Sequence, residues 1–290
     1  SNLKGVRRVI DTMAQSDDPI IMVAADNQIN RGFQSYSKPA LGLHLLRESI
    51  LGHDLFDFAF KEYARRWAFK RPTPADLFRT MEDASGVDLD WFWRGWFYGT
   101  DPVDLSIDRV TWYTLDSKNP EVEFPLRKQK KDEEPVQTWQ ERNEIDIQET
   151  IVETDEIAND FYNKFDPYEV TILDKEEFIK YRDSSVVEPR EKEIYNSNLN
   201  YYEIKFSNVG GLVMPIILQF DYEDSTSYII KIPAEIWKMN RSQITKIFAT
   251  KKRVASFTLD PKLETADIDL INNHWPRKII KSNLNFIKAK

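Results

Sequence analysis

The sequence predicts a mixed α+β protein, in which an N-terminal α-helical segment is followed by an antiparallel β-sandwich-like domain. Three observations predict it. Apolar residues recur at helical spacing through the first hundred residues, they alternate with polar ones in the last ninety, and glycine and charge usage changes between the two. The 290 residues are 41% hydrophobic and 30% charged, a composition able to build a packed core over about two domains. Glycine is confined to Gly99 and before until Gly210-Gly211, and residues 1–100 carry 13 basic and 13 acidic side chains against 27 and 35 in 101–290. The turn-type cluster Gly99-Thr100-Asp101-Pro102 therefore marks the expected boundary. This gives a helical segment over 1–102 and a β domain over 103–290, with a charged insertion at about 115–195.

Each helix has start and stop signals. Ser37 is placed to cap a helix with Ala40, Leu43, Leu46 and Ile50 on one stripe, ending near Gly52. A second helix is expected over about 54–69, with Phe56, Phe60, Tyr63 and Trp67 on one face and Lys61, Glu62, Arg65 and Arg66 opposite, and Pro72 prevents its continuation. Thr73-Pro74-Ala75-Asp76 reads as a capping box with proline at the first helical position, and that helix ends at Gly86. Asp88 opens a fourth helix that carries Trp91, Phe92, Trp93, Trp96, Phe97 and Tyr98.

The strands follow from period-two alternation. Tyr202, Ile204 and Phe206 form one apolar face, and Asn208-Val209-Gly210-Gly211 makes a turn. Leu212 to Tyr222 reads as a strand with Pro215 inside it, which points to an edge or a bulge. Glu223-Asp224-Ser225 turns into a strand over Tyr228 to Ile232, and Arg253 to Leu259 is closed by Asp260-Pro261. Between the two regions, the seven charges from Arg127 to Glu134 read as a solvated loop. Phe161, Tyr162, Phe165 and Tyr168 are too aromatic for a free linker and are expected to pack against the β domain.

Composition excludes several functions. The net charge of -8 and pI near 5.2 argue against binding nucleic acid through phosphate contacts, and no apolar run is long enough to span a membrane. With no cysteine, disulfides, thiolate nucleophiles and zinc fingers are out. The three histidines are His44, His53 and His274. His44 and Glu48, four apart on a helix, could share a metal or simply hydrogen-bond, and the bland alternative is favoured. His53 is read as a cation at a helix end, and His274 as part of a turn. No His-Glu-x-x-His, Gly-x-Ser-x-Gly or phosphate loop occurs. Glu82-Asp83 and Asp88/Asp90 fall at helix ends, where capping accounts for them. Trp91, Trp93 and Trp96 suit core packing better than a carbohydrate platform.

One resemblance goes further. Tyr36-Ser37-Lys38-Pro39 with Leu51-Gly52, the helix ending Phe60 to Phe69, Thr73-x-x-Asp76-Leu77-x-x-x-Met81-Glu82, and Ser85-Gly86-x-Asp88-Leu89-x-x-Phe92-x-x-x-Trp96 stand in order over about 65 residues. Together they resemble the M1 family of zinc aminopeptidases, the gluzincin metallopeptidases. Leu212-Val213-Met214-Pro215-Ile216, Thr258-Leu259-Asp260-Pro261 and Asn272-Asn273 are similar, less specifically, to the β-sandwich that follows in that family.

The resemblance implies that residues 1–102 complete a thermolysin-like catalytic domain. The family's zinc ligands belong to His-Glu-x-x-His and a later glutamate, which would lie upstream of Ser1. This chain is then a C-terminal portion, inactive alone and binding no metal itself, with zinc a cofactor of the intact parent hydrolase. A peptide substrate would be engaged through that upstream region. Tyr36 matches the catalytic tyrosine, whose phenol stabilises the oxyanion formed from the peptide carbonyl, and Lys38 is expected to be structural. The implied location is periplasmic or extracellular, with any signal peptide upstream. The alternative is a non-catalytic, peptidase-like scaffold or binding module.

Overall fold

The structure is a computed structural model that describes residues 10, 20–115, 118–155, 157, 158, 160, 165–184 and 199–277. Among these, α1 spans Lys38–Leu45, α2 His53–Trp67, α3 Pro74–Ser85, α4 Asp90–Tyr98, α5 Pro120–Asp132, α6 Thr138–Asp146, α7 Ile151–Thr154 and α8 Ile172–Ser184. The strands are β1 (Leu105–Thr114), β2 (Asn200–Asn208), β3 (Ile216–Tyr222), β4 (Ser227–Ile232), β5 (Gln243–Thr250), β6 (Val254–Leu259) and β7 (His274–Trp275). The fold is mixed α+β with two antiparallel sheets. It forms two compact units, Ser1–Tyr113 with Asn200–Lys290, and Thr114–Leu199.

In the first unit the helices and strands share one hydrophobic core. Leu45, Leu46, Phe56, Met81, Phe92 and Trp96 belong to the same buried cluster as Ile204, Phe206, Leu218 and Phe257. The Gly99–Pro102 turn thus joins elements of one compact unit. One sheet has the order β1-β2-β5 and the other β4-β3-β6-β7. Register is set by the buried face: Tyr202, Ile204 and Phe206 lie on the core side of β2, opposite Phe248, Lys246 and Ile244 of β5. The sheets touch through aromatic edges, with Tyr202 5.3 Å from Phe257 and Phe220 5.3 Å from Phe248 between ring centroids. The Tyr202 hydroxyl also accepts the backbone N–H of Val254 at 2.8 Å.

Several expectations are corrected. Ser37 caps nothing: helical backbone runs without a break over 31–50, with π-type turns at Phe33–Ser37 and Leu46–Ile50 on either side of α1, and Ser37 sits inside it with helical torsions. The two π turns rotate the buried stripe. It passes through Lys38, Leu41, Leu45, Leu46 and Ser49, while Ala40 is exposed. In α2 only Phe56 and Ala59 are fully buried and Phe60 is exposed. Pro215 precedes β3 instead of interrupting it, so β3 is an interior strand, bonded to both β4 and β6 with its irregularity at Asp221/Tyr222. β1 and β5 alternate weakly against a charged background and escape the sequence reading.

Other expectations hold. Thr73 and Asp76 form the capping box of α3, with Thr73 N–H and Oγ1 each 2.7 Å from the Asp76 carboxylate. Gly86 ends that helix at φ 68°, a left-handed torsion that favours glycine. Asn208 closes its turn by accepting Gly211 N–H at 3.0 Å.

The second unit is helical. The charged run from Arg127 lies on α5, whose N-cap Asn119 accepts the Glu121 N–H. The basic residues Lys130 and Lys131 fall in its last turn, where they complement the helix dipole. This corrects the loop expected there. Lys175 of α8 meets Glu121 at 2.8 Å, and Lys128 meets Asp166 at 3.0 Å. Phe165 is exposed and Tyr168 half-buried, while Phe161 and Tyr162 lie outside the described residues.

Candidate functional site

Tyr36 occupies the π-type turn ahead of α1 with its side chain 73% exposed. Its backbone is fixed from both sides. Upstream, Asn30 Oδ1 accepts Phe33 N–H at 3.2 Å, and Gln34 Oε1 accepts Asn30 N–H at 3.0 Å. The buried Gln34 also donates Nε2 to the Ile20 carbonyl at 3.1 Å. Neither Asn30 nor Gln34 carries a sequence signal, since polar residues before an expected cap look like solvent.

Downstream, Lys38 is 1% exposed. Its Nζ reaches the Gly99 carbonyl at the C-terminal end of α4 at 3.4 Å, where a cation meets the negative end of the helix dipole. Its own carbonyl accepts Trp96 Nε1 at 2.9 Å. Trp96 approaches so closely that a Cβ on Gly42 would lie 2.4 Å from its Nε1. The result is a phenol standing in solvent on backbone that is clamped two residues later.

The histidines sort differently from the sequence. Glu48 does not close on His44; it bonds His53 Nε2 at 2.6 Å and Arg47 Nη1 at 3.0 Å. Arg47 in turn forks onto Asp57 with Nε at 2.8 Å and Nη2 at 3.1 Å. The bond to His53 holds the Glu48 carboxyl below its ordinary range, and the Arg47 guanidinium does the same for Asp57. His53 is the first residue of α2, the positive end of the helix. A cation there gains nothing from the dipole, so its partner is Glu48. His274 lies in β7, its Nδ1 3.2 Å from Thr258 Oγ1.

Among the described residues, Glu82, Asp88 and Asp90 are the one group of three side chains close enough to hold an ion. Glu82 accepts the Leu89 N–H at 3.0 Å and Asp88 accepts the Asp90 N–H at 3.2 Å, which is capping geometry at the start of α4. Burial pushes the Glu82 carboxyl up. The set has no imidazole and does not fit zinc. Trp93 and Trp96 are buried, and the Trp91 indole N–H is used on the Asp88 carbonyl at 3.2 Å.

A deeply buried carboxyl sits elsewhere. Asp267, 2% exposed, accepts Leu105 N–H at 3.1 Å, Asn273 Nδ2 at 3.2 Å and Asp269 N–H at 3.0 Å, and burial raises its pKa to about 7. Asp104 nearby accepts Asn272 Nδ2 at 2.7 Å and is also raised by burial. These bonds tie the start of β1 to the 267–273 loop. Comparison with known proteins adds no assignment: no protein-family model matches the chain, and no curated protein matches it.

Proposed function

We propose that this chain is the C-terminal part of an M1-type zinc metallopeptidase, an aminopeptidase, in which it supplies Tyr36 and one wall of the substrate cavity. The observation that carries this reading is the linkage between the first and last of the four motif elements. Lys38 of the Tyr-x-Lys element bonds Gly99 and Trp96 at the end of the Ser-Gly-x-Asp-Leu element. Residues that the motifs place far apart in sequence hold one another in place, with Tyr36 beside them and its phenol accessible. In this reading residues 1–102 complete the catalytic domain, the strands form a β-sandwich-like domain, and the parent enzyme acts in the periplasm or outside the cell.

The chemistry of this chain is that of one donor. When a peptide carbonyl turns tetrahedral, negative charge collects on its oxygen. A phenol O–H held at hydrogen-bond distance stabilises that charge more than the ground-state carbonyl, so it lowers the barrier. Among the described residues no group of side chains fits zinc, and in this reading the zinc ligands come from the upstream region, so hydrolysis by the isolated chain is not expected. The test is zinc content and hydrolysis of aminoacyl reporter substrates by the upstream-extended protein, wild type beside Tyr36→Phe. Zinc-dependent turnover that falls about a hundredfold in the variant, at equal zinc, supports the reading. A folded extended protein with no zinc and no turnover would favour a peptidase-like scaffold.

A further inference from the structure

The turn between α2 and α3 carries a basic surface with an exposed aromatic residue at its tip. Residues 61–80 hold six basic and two acidic side chains, in a chain whose net charge is -8. Lys70, Arg71 and Arg79 have no carboxylate within ion-pairing distance among the described residues, whereas Arg65 and Arg66 are held by Glu62 at 2.7 and 2.6 Å. Lys70 and Arg79, with Arg65 and Arg66, line an open groove of about 530 Å³ together with Trp67, Thr80 and the carboxylates Asp76 and Asp83, and Arg71 lies outside it. At the tip stands Phe69, fully exposed at 110% of its reference area and held at φ 60°. That torsion is costly for a bulky L-residue.

We propose that this turn is a docking site for a membrane surface rich in anionic lipid. Phe69 enters the interfacial layer, and Lys70, Arg71 and Arg79 meet the headgroup phosphates and carboxylates. Trp67 lies behind at the depth where indole rings partition, with its Nε1 already bonded to Thr80 Oγ1 at 3.3 Å. The shape of the surface selects a bilayer over a protein partner. A stable protein interface buries a broad patch on each side, while Phe69 is a single apolar apex flanked by charge, which suits an interface of mobile headgroups. The proposal is independent of the peptidase reading.

Three variants test it on the full chain, each checked for folding by far-UV circular dichroism. Co-sedimentation is measured with vesicles of phosphatidylcholine alone and of phosphatidylcholine with phosphatidylserine, at low and high salt. Binding is expected only to the anionic vesicles and weakens with salt. Lys70→Glu with Arg71→Glu should weaken it by about fivefold or more per cation, and Phe69→Ser by about tenfold or more. A Phe69→Trp reporter should shift to the blue on binding and be quenched by lipids brominated along the acyl chain. Absence of binding to anionic vesicles by the folded chain would overturn the proposal. So would equal binding to neutral vesicles, or binding indifferent to Phe69→Ser with no quenching of the reporter. Binding of a soluble acidic peptide in place of vesicles would reassign the turn to a protein partner.

Discussion

The indole N–H of Trp96 donates to the backbone carbonyl of Lys38 across 58 residues of sequence, at 2.9 Å. The same lysine sends its ammonium to Gly99 at the end of the helix that carries Trp96. Two residues therefore close a loop in which one backbone and one side chain of Lys38 satisfy both the indole and the helix terminus.

The close approach of Trp96 to α1 makes Gly42 intolerant. A Cβ there would sit 2.4 Å from the indole nitrogen and 2.5 Å from Cδ1, inside contact distance of a ring that is itself fully buried. Gly42→Ala is expected to destabilise the chain by about 1–3 kcal/mol through overpacking, despite the helix propensity gained. Urea unfolding followed by tryptophan fluorescence reads the effect, and an unchanged midpoint would show that the ring moves aside freely.

Replacing Lys38 by methionine keeps the stem and removes the charge. The Gly99 carbonyl then loses its cation at the α4 terminus, with an expected cost of about 1–2 kcal/mol. Tyr36→Phe should leave stability within about 0.5 kcal/mol, since the phenol is exposed. The pair of thermal melts separates a clamp from a residue kept for chemistry.

Asp267 predicts the pH dependence. Burial raises its pKa from 3.8 to about 7, so the folded state keeps the proton over a range in which the unfolded chain has released it. Its stabilising contribution is complete below about pH 4 and is lost as pH rises through about 7. The full difference amounts to roughly 4 kcal/mol. Asp104, raised in the same direction, adds to the slope. Asp267→Asn should therefore flatten the decline in stability between pH 4 and 7 relative to wild type, measured by denaturant midpoints across that range. Parallel curves for the two proteins would refute the assignment.

The capping box of α3 offers a local control. Thr73→Ala removes the hydroxyl that meets Asp76 at 2.7 Å and is expected to cost about 1 kcal/mol. The Asp76 carboxyl, held below its ordinary range chiefly by that hydroxyl, should titrate closer to it in the variant, as read by NMR.

What was legible in the sequence follows interaction range. The Thr73/Asp76 box, the left-handed Gly86 and the alternation of Tyr202, Ile204 and Phe206 were readable because each depends on neighbours within a few positions. The local signals point to a helix capped by Ser37 with Ala40, Leu43, Leu46 and Ile50 on one stripe, whereas helical backbone runs over 31–50 with another stripe buried, because its π turns shift the angular period and no local residue announces them. For the candidate site, Tyr36 came only from the motif resemblance. Gln34 and Asn30, which hold its backbone, look like ordinary surface residues until the Ile20 carbonyl is seen beside them.

By itself the sequence determined the mixed α+β class, the start and stop of α3 and the absence of any thiol chemistry, because composition and short-range patterning act on the chain before it folds. Tertiary structure alone decided that β3 lies inside its sheet, that Glu48 turns to His53 and Arg47 instead of His44, and that Lys38 is buried against an α4 terminus 61 residues away. Those outcomes depend on which surfaces meet when the core closes. Desolvation then leaves each buried charge or amide to pair with whatever group the packing has brought within reach.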